Sequence, residues 1–323
     1  TFNGLESISI NCKKSVNVIT MNCAELKIKS CIVKSGKKII KSFPKTNEKK
    51  EELQIKLAEK IRGLCTVDLE FEGILNDRLL GFYRSRYEQN GKTKYLATTQ
   101  FEAADARRAF PCWDEPEAKA TFEISIIADN QFTAISNMPV KTKKKTGKTT
   151  LYNFQKTPLV STYLIYLGVG EFEYLSGKAG KIQIRVVTTK GNTSKGKFSL
   201  ELGKKLLTSY EKYFGIKFPL PKLDLIAVPD FAAGAMENWG AITFRETILL
   251  YDPKTSSTRT KQFIAEVISH EIAHMWFGNL VTMKWWNDLW LNESFATFMA
   301  TKFVDKFYPE WDLWNQFVED AMN

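Results

Sequence analysis

The stretch Val267-Ile268-Ser269-His270-Glu271-Ile272-Ala273-His274-Met275-Trp276 decides how this chain is read. It continues an apolar helical pattern that begins after Ser256-Ser257-Thr258 and is expected to stop at Gly278, where a C-cap glycine belongs. At 3.6 residues per turn, His270 and His274 leave the helix on one face, so both imidazoles reach a single ion about 2 Å away. Glu271 lies about 100° round the helix from His270, placed to address water beside the ion instead of the ion itself. The chain has only 2 histidines, and both fall in this pattern. A protein using histidine as core filler or as a surface residue would scatter several more.

A catalytic zinc keeps three protein ligands and leaves one position for water, so a third ligand is required. Glu293 fits best. It lies in a second helical pattern, Asn287-Asp288-Leu289-Trp290-Leu291-Asn292-Glu293-Ser294-Phe295-Ala296-Thr297-Phe298, that ends before Pro309. Gly278 and residues 279–286 give the chain room to reverse and bring this helix across the first. A carboxylate among Leu289, Trp290 and Phe295 needs a partner, and one Zn2+ per chain, held by His270, His274 and Glu293, provides it.

Upstream of residue 170 the pattern is that of strands: residues 66–72, 120–128 and 161–169 alternate β-branched and aromatic side chains between turns. Strand after strand without long helices implies a β-sandwich or an open, saddle-like sheet. From residue 173 the pattern becomes mixed, with a helix expected over residues 197–213 and a strand over 222–228. A domain boundary is therefore placed at 172/173.

The formal charge of +10 invites a nucleic-acid reading, but the excess falls almost wholly in residues 1–172. It concentrates in residues 34–50 and in Lys141, Lys143, Lys144, Lys145 and Lys148, beside Gly, Ser, Thr and Asn, which reads as solvated hairpin tips. No aromatic interleaving accompanies the lysines, so no nucleic-acid partner is expected. Apolar runs such as residues 164–167 fall far short of the roughly 20 residues of a membrane span. The 5 cysteines have no C-x-x-C spacing and read as reduced thiols of a cytoplasmic protein. Thr1 in first place suggests that the true start has been removed.

The spacing of these residues resembles the gluzincin aminopeptidases, in which H-E-x-x-H is followed, 19 residues after its second histidine, by a glutamate ligand; Glu293 stands 19 after His274. Gly234-Ala235-Met236-Glu237-Asn238 is similar to the family's G-A-M-E-N signature, and residues 98–116, with Gln100, Glu102 and Cys112-Trp113-Asp114-Glu115-Pro116, resemble a segment of its N-terminal domain. The likeness covers residues 60–323 and is nearest to the puromycin-sensitive type. It implies an all-β saddle-like N-terminal domain, residues 1–172, followed by the first part of a thermolysin-like α+β catalytic domain, residues 173–323, truncated at its C-terminal side.

A site that accepts only free peptide N-termini must offer the ammonium fixed carboxylates in a partly dry pocket. Glu237 and Glu102 are the candidates. The resemblance implies that both hold the amine beside Glu293, that Gln100 lines the pocket for the first side chain, and that the backbone of the signature from Gly234 through Ala235, Met236 and Asn238 receives the peptide as an added strand. Removal of N-terminal residues from peptides is the expected activity, with Glu271 taking a proton from the attacking water and passing it to the leaving amine. Alternatives are a leukotriene-hydrolase-like bifunctional peptidase, a thermolysin-like endopeptidase and an inactive zinc-binding fragment. Ser294 stands where the family commonly has Gly. The family's transition-state tyrosine is expected beyond Asn323, Tyr308 being at the wrong distance, and exposed apolar surface is expected over residues 303–322.

Overall fold

The computed structural model describes residues 1–322. Two long strands, Phe2–Asn22 and Glu52–Gly73, pair antiparallel and dominate a five-stranded sheet with Lys27–Ser35, Lys38–Ile40 and Ser42–Asn47. Alternation explains its single packed face: Cys65, Val67, Leu69 and Phe71 point inward while Thr66, Asp68 and Glu70 point out. The register slips between Cys12 and Val18, and such a bulge bends a ribbon that would otherwise run straight.

A four-stranded sheet follows, ordered Gly81–Gln89, Lys92–Gln100, Leu167–Gly170, Thr133–Ser136, and a three-stranded one, Val140–Thr146, Thr149–Phe154, Ser125–Asp129. Three strand expectations need correction. Of residues 120–128, only those from Ser125 are in a strand; Ala120 makes an isolated bridge to Val160. Residues 161–169 begin with a 3₁₀ turn, Thr162–Leu164, closed by Ile165 N–H to the Thr162 carbonyl; its side chains are all buried, so alternation could not signal it. Lys148 sits in a hairpin turn as expected, but Lys141, Lys143, Lys144 and Lys145 lie along the wholly exposed edge strand before it, a placement that discourages edge-to-edge pairing.

Sheet membership changes at residue 171: Leu167–Gly170 belongs to the four-stranded sheet, Phe172–Ala179 to the next. That last sheet has five strands in the order Phe172–Ala179, Ile182–Thr189, Lys222–Val228, Ala241–Arg245, Ala235–Met236. Lys222–Val228 pairs in parallel on both sides and every residue in it is buried, which accounts for its nearly unbroken apolar run. Helix α1, Lys197–Phe214, lays Leu200, Leu206, Leu207 and Tyr210 on this sheet and ends where Gly215 takes a left-handed φ of 68°.

Helix α2, Thr258–Ala273, starts as expected: the Ser257 side chain accepts from the Thr260 N–H. Its end is a correction. The regular helix stops at Ala273, with His274 as its cap, and tightens into turns closed by Met275 N–H to the Ile272 carbonyl and Trp276 N–H to the Ala273 carbonyl. Gly278 lies beyond, at φ 130°, and turns the chain instead of capping the helix. Helix α3, Leu289–Phe307, packs on α2, and α4, Leu313–Met322, on α3. Tyr210 binds α1 to α2 through its hydroxyl, 2.7 Å from Ser269 Oγ.

One continuous apolar core runs from Tyr83 and Phe101 through Tyr163 and Tyr166 to Ile268, Met299 and Leu313. A second core, with Val33, Leu53, Ile55 and Val67, fills the first sheet. Exposed apolar side chains occur at Phe317, Val318 and Met322 as expected, but Phe303 is buried, and the larger group is Val281, Trp285, Trp290 and Leu291.

Candidate metal centre

Helix α2 brings His270 and His274 together, and α3 returns Glu293 to them. The two Nε2 atoms are 2.9 Å apart; Glu293 Oε2 is 3.2 Å from His270 Nε2, and Oε1 is 3.6 Å from His274 Nε2. Ligand atoms at about 2.0 Å from a tetrahedral zinc lie about 3.3 Å from each other, so the three residues fit that ion in both type and separation.

The electrostatics point the same way. Burial opposes charge on His274, yet Glu237, Glu293 and Glu271 outweigh it and raise the ring to about 10. Glu293, though partly buried, is held well below the usual carboxylate range by the two rings. The carboxyl groups of Glu237, Glu271 and Glu293 thus all favour a positive charge at His274.

Glu271, 5% exposed, has an Oε2 without a hydrogen-bond partner. Burial lifts its carboxyl well above the usual range, with Glu237, Glu293 and Glu102 adding to the shift and His274 opposing it. Glu102 is pushed up to about 8, first by burial and then by Glu237 and Glu293. One oxygen from each of Glu102, Glu237 and Glu293 falls within a 4.8 Å group, so Glu293 belongs both to the histidine set and to a carboxylate cluster.

Local structure explains how these groups are presented. Glu237 directly follows the edge strand Ala235–Met236, which pairs with Phe244 and Thr243, and the Gly234 carbonyl accepts from Arg245 N–H. Asn238 is buried, its amide donating to Thr243 Oγ1 at 3.1 Å. Gln100 Nε2 lies 3.4 Å from Met236 Sδ, joining the four-stranded sheet to this strand. Glu102 heads a loop whose Arg107 and Arg108 are both paired with Glu51, in the turn that leads into the strand Glu52–Gly73, at 3.1 and 2.7 Å.

Three contributors escaped the sequence reading. Asn279 donates to the Glu237 carbonyl at 2.8 Å, Tyr163 donates to the Gly278 carbonyl at 3.3 Å, and Thr297 Oγ1 lies 3.3 Å from His270 Nδ1. Only Thr297 carried a signal, standing one turn beyond Glu293. Tyr308, set aside on distance, stacks on Trp311 instead.

Residues 1–164 match the peptidase M1 N-terminal domain, and residues 198–323 the peptidase family M1 domain. The chain belongs to the M1 peptidase family. Among its relatives, Aminopeptidase M1 of Arabidopsis thaliana is 44% identical over 328 residues, covering 99% of this chain and 37% of the relative. The Puromycin-sensitive aminopeptidase of Caenorhabditis elegans is 44% identical over 330 residues, covering 100% of this chain and 35% of the relative. Aminopeptidase 2, mitochondrial, of Saccharomyces cerevisiae is 50% identical over 265 residues, covering 81% and 28%. This M1 chain thus spans little more than a third of the length of its first relatives.

Proposed function

We propose that this chain carries the metal-binding and amine-recognising part of a zinc-dependent aminopeptidase. The observation that carries the proposal is the double membership of Glu293: it meets the histidine pair on one side and Glu102 and Glu237 on the other. A metal site for hydrolysis alone has no use for two further buried carboxylates. A peptide ammonium beside them supplies the missing positive charge and fixes which bond is cut, the first. The edge strand Ala235–Met236 has one side unpaired within its sheet and can take the peptide backbone as a further strand, with Gln100 and Met236 beside the first side chain.

Zinc held by His270, His274 and Glu293 would polarise the scissile carbonyl and make water more acidic. Glu271 Oε2 takes the proton of the attacking water and returns it to the departing amine. Burial raises its carboxyl above the usual carboxylate range, which favours holding a proton between the two transfers. Names of the relatives support the same activity.

Peptides with free N-termini are the proposed partners. No helix among the described residues is long and apolar enough to cross a membrane. A reducing, cytoplasmic setting is proposed from the 5 free thiols, among them Cys12 and Cys65 with Sγ atoms 3.9 Å apart and unbonded. The change of sheet at residue 171 supports dividing the chain at 172/173.

The test is to measure zinc content and hydrolysis of an aminoacyl amide, with and without N-acetylation, on this chain and on a version extended to the length of its relatives. One zinc per chain and cleavage of the free-amine substrate alone are expected. Equal cleavage of the acetylated substrate would reject the role given to Glu102 and Glu237.

A further inference from the structure

The two histidines are anchored differently on their outer sides. His274 is buried, and its Nδ1 lies 2.9 Å from the Phe277 carbonyl. A carbonyl only accepts, so a proton is fixed on Nδ1 and Nε2 is the ring atom presented inward. Gly278 leaves room for this ring: a Cβ there would come within 3.1 Å of His274 Nδ1. His270 is half-buried, and its Nδ1 faces the Thr297 hydroxyl at 3.3 Å.

We infer that Thr297 is a positioning residue for the metal, its hydroxyl accepting from His270 Nδ1–H and holding that ring with Nε2 toward the ion. The inference rests on the zinc assignment above. Thr297 follows Glu293 by one turn on α3, so a single helix face carries both a ligand and the support of a second ligand. A helical threonine has the carbonyl four residues back as a natural acceptor for its own proton, which leaves the oxygen lone pairs for the imidazole. Thr297 is itself exposed, at the head of a groove between α2, α3 and α4 that Glu266, Thr301 and Gln316 also line. Without the hydroxyl, water becomes the partner of His270 Nδ1, and water does not fix a ring. His270 is therefore the side from which the metal is released, and Thr297 sets how easily.

The test uses the whole chain loaded with zinc, comparing wild type, Thr297→Val, which keeps the shape and loses the hydroxyl, and Thr297→Ser, which keeps the hydroxyl. Competition with a chelator of known affinity gives the zinc dissociation constant. Because the chain has only 2 histidines, long-range proton–nitrogen correlation spectra contain two rings and no others. Wild type and Thr297→Ser are expected to bind one zinc and to protect both Nδ1 protons from solvent exchange. Thr297→Val should bind about tenfold more weakly and lose protection at one ring, while the zinc-free form unfolds at an unchanged temperature. Unchanged affinity with two protected protons in Thr297→Val overturns the role of Thr297 alone; a wild type that takes up no zinc overturns the metal centre with it.

Discussion

Two groups of charged side chains, one within residues 173–323 and one shared between the two halves of the chain, are built on opposite terms. Around Asp224 every charge is answered: Arg185 donates to it twice at 2.6 Å, Lys222 at 2.8 Å, and Lys222 also donates to the Gly240 carbonyl at 2.7 Å. Around Glu271 the accounts are left open. Glu102, Glu237 and Glu271 each keep an unpartnered buried oxygen, as do Gln100, Asn238 and Asn279. An unmet buried acceptor costs about 1–3 kcal/mol, so such a collection is retained only where something binds to it. The closed cluster is architecture, and the open one is the proposed site.

Breaking the closed cluster should have the largest effect on folding. Asp224→Ala leaves Lys222 and Arg185 without their shared counter-charge and should lower stability by about 3–5 kcal/mol, read by urea denaturation. A loss under 1 kcal/mol would show that the cluster is solvated in solution. Glu271→Gln should do the reverse: unchanged or higher stability, with hydrolysis by the extended protein reduced about a thousandfold while zinc stays bound. Substantial activity with bound zinc would remove Glu271 from the mechanism.

A smaller effect comes from the N-terminal sheet, where Glu6 is an open acceptor away from the cluster around Glu271. Its Oε2 is buried without a partner, and burial raises the carboxyl to about 8. The folded state thus binds this proton more tightly than the unfolded chain does, whose glutamates titrate near 4.5. Stability is therefore lost as pH rises through the window from about 4.5 to about 8. Glu6→Gln should gain stability on the wild type as pH rises across that window, measured as the difference between their denaturation curves at pH 4.5 and pH 8.5. A flat difference would mean that the carboxyl reaches water.

Legibility in the sequence follows the same division. His270 and His274 were readable because helical spacing places them on one face, Glu293 because a second helical pattern returns to them at the family's 19-residue spacing, and Glu237 and Glu102 because they stand in family motifs. The Asp224 cluster was hidden inside what read as an apolar strand, since its partner Arg185 arrives from a different strand through parallel pairing. The early end of α2 depends on a contact between His274 and Phe277 that propensity does not encode. Thr162–Leu164 is buried all round, which leaves no alternation to distinguish strand from turn.

The core that runs unbroken from Tyr83 to Leu313 has a consequence for how such a chain can be handled by evolution or by an engineer. Although the sheets divide at residue 171, Tyr163, Leu164 and Tyr166 are as deeply enclosed as Ile268. A cut or a graft at that point would strip both pieces of shared interior, so the halves cannot be shuffled as cassettes. The shared core predicts that they unfold in one transition.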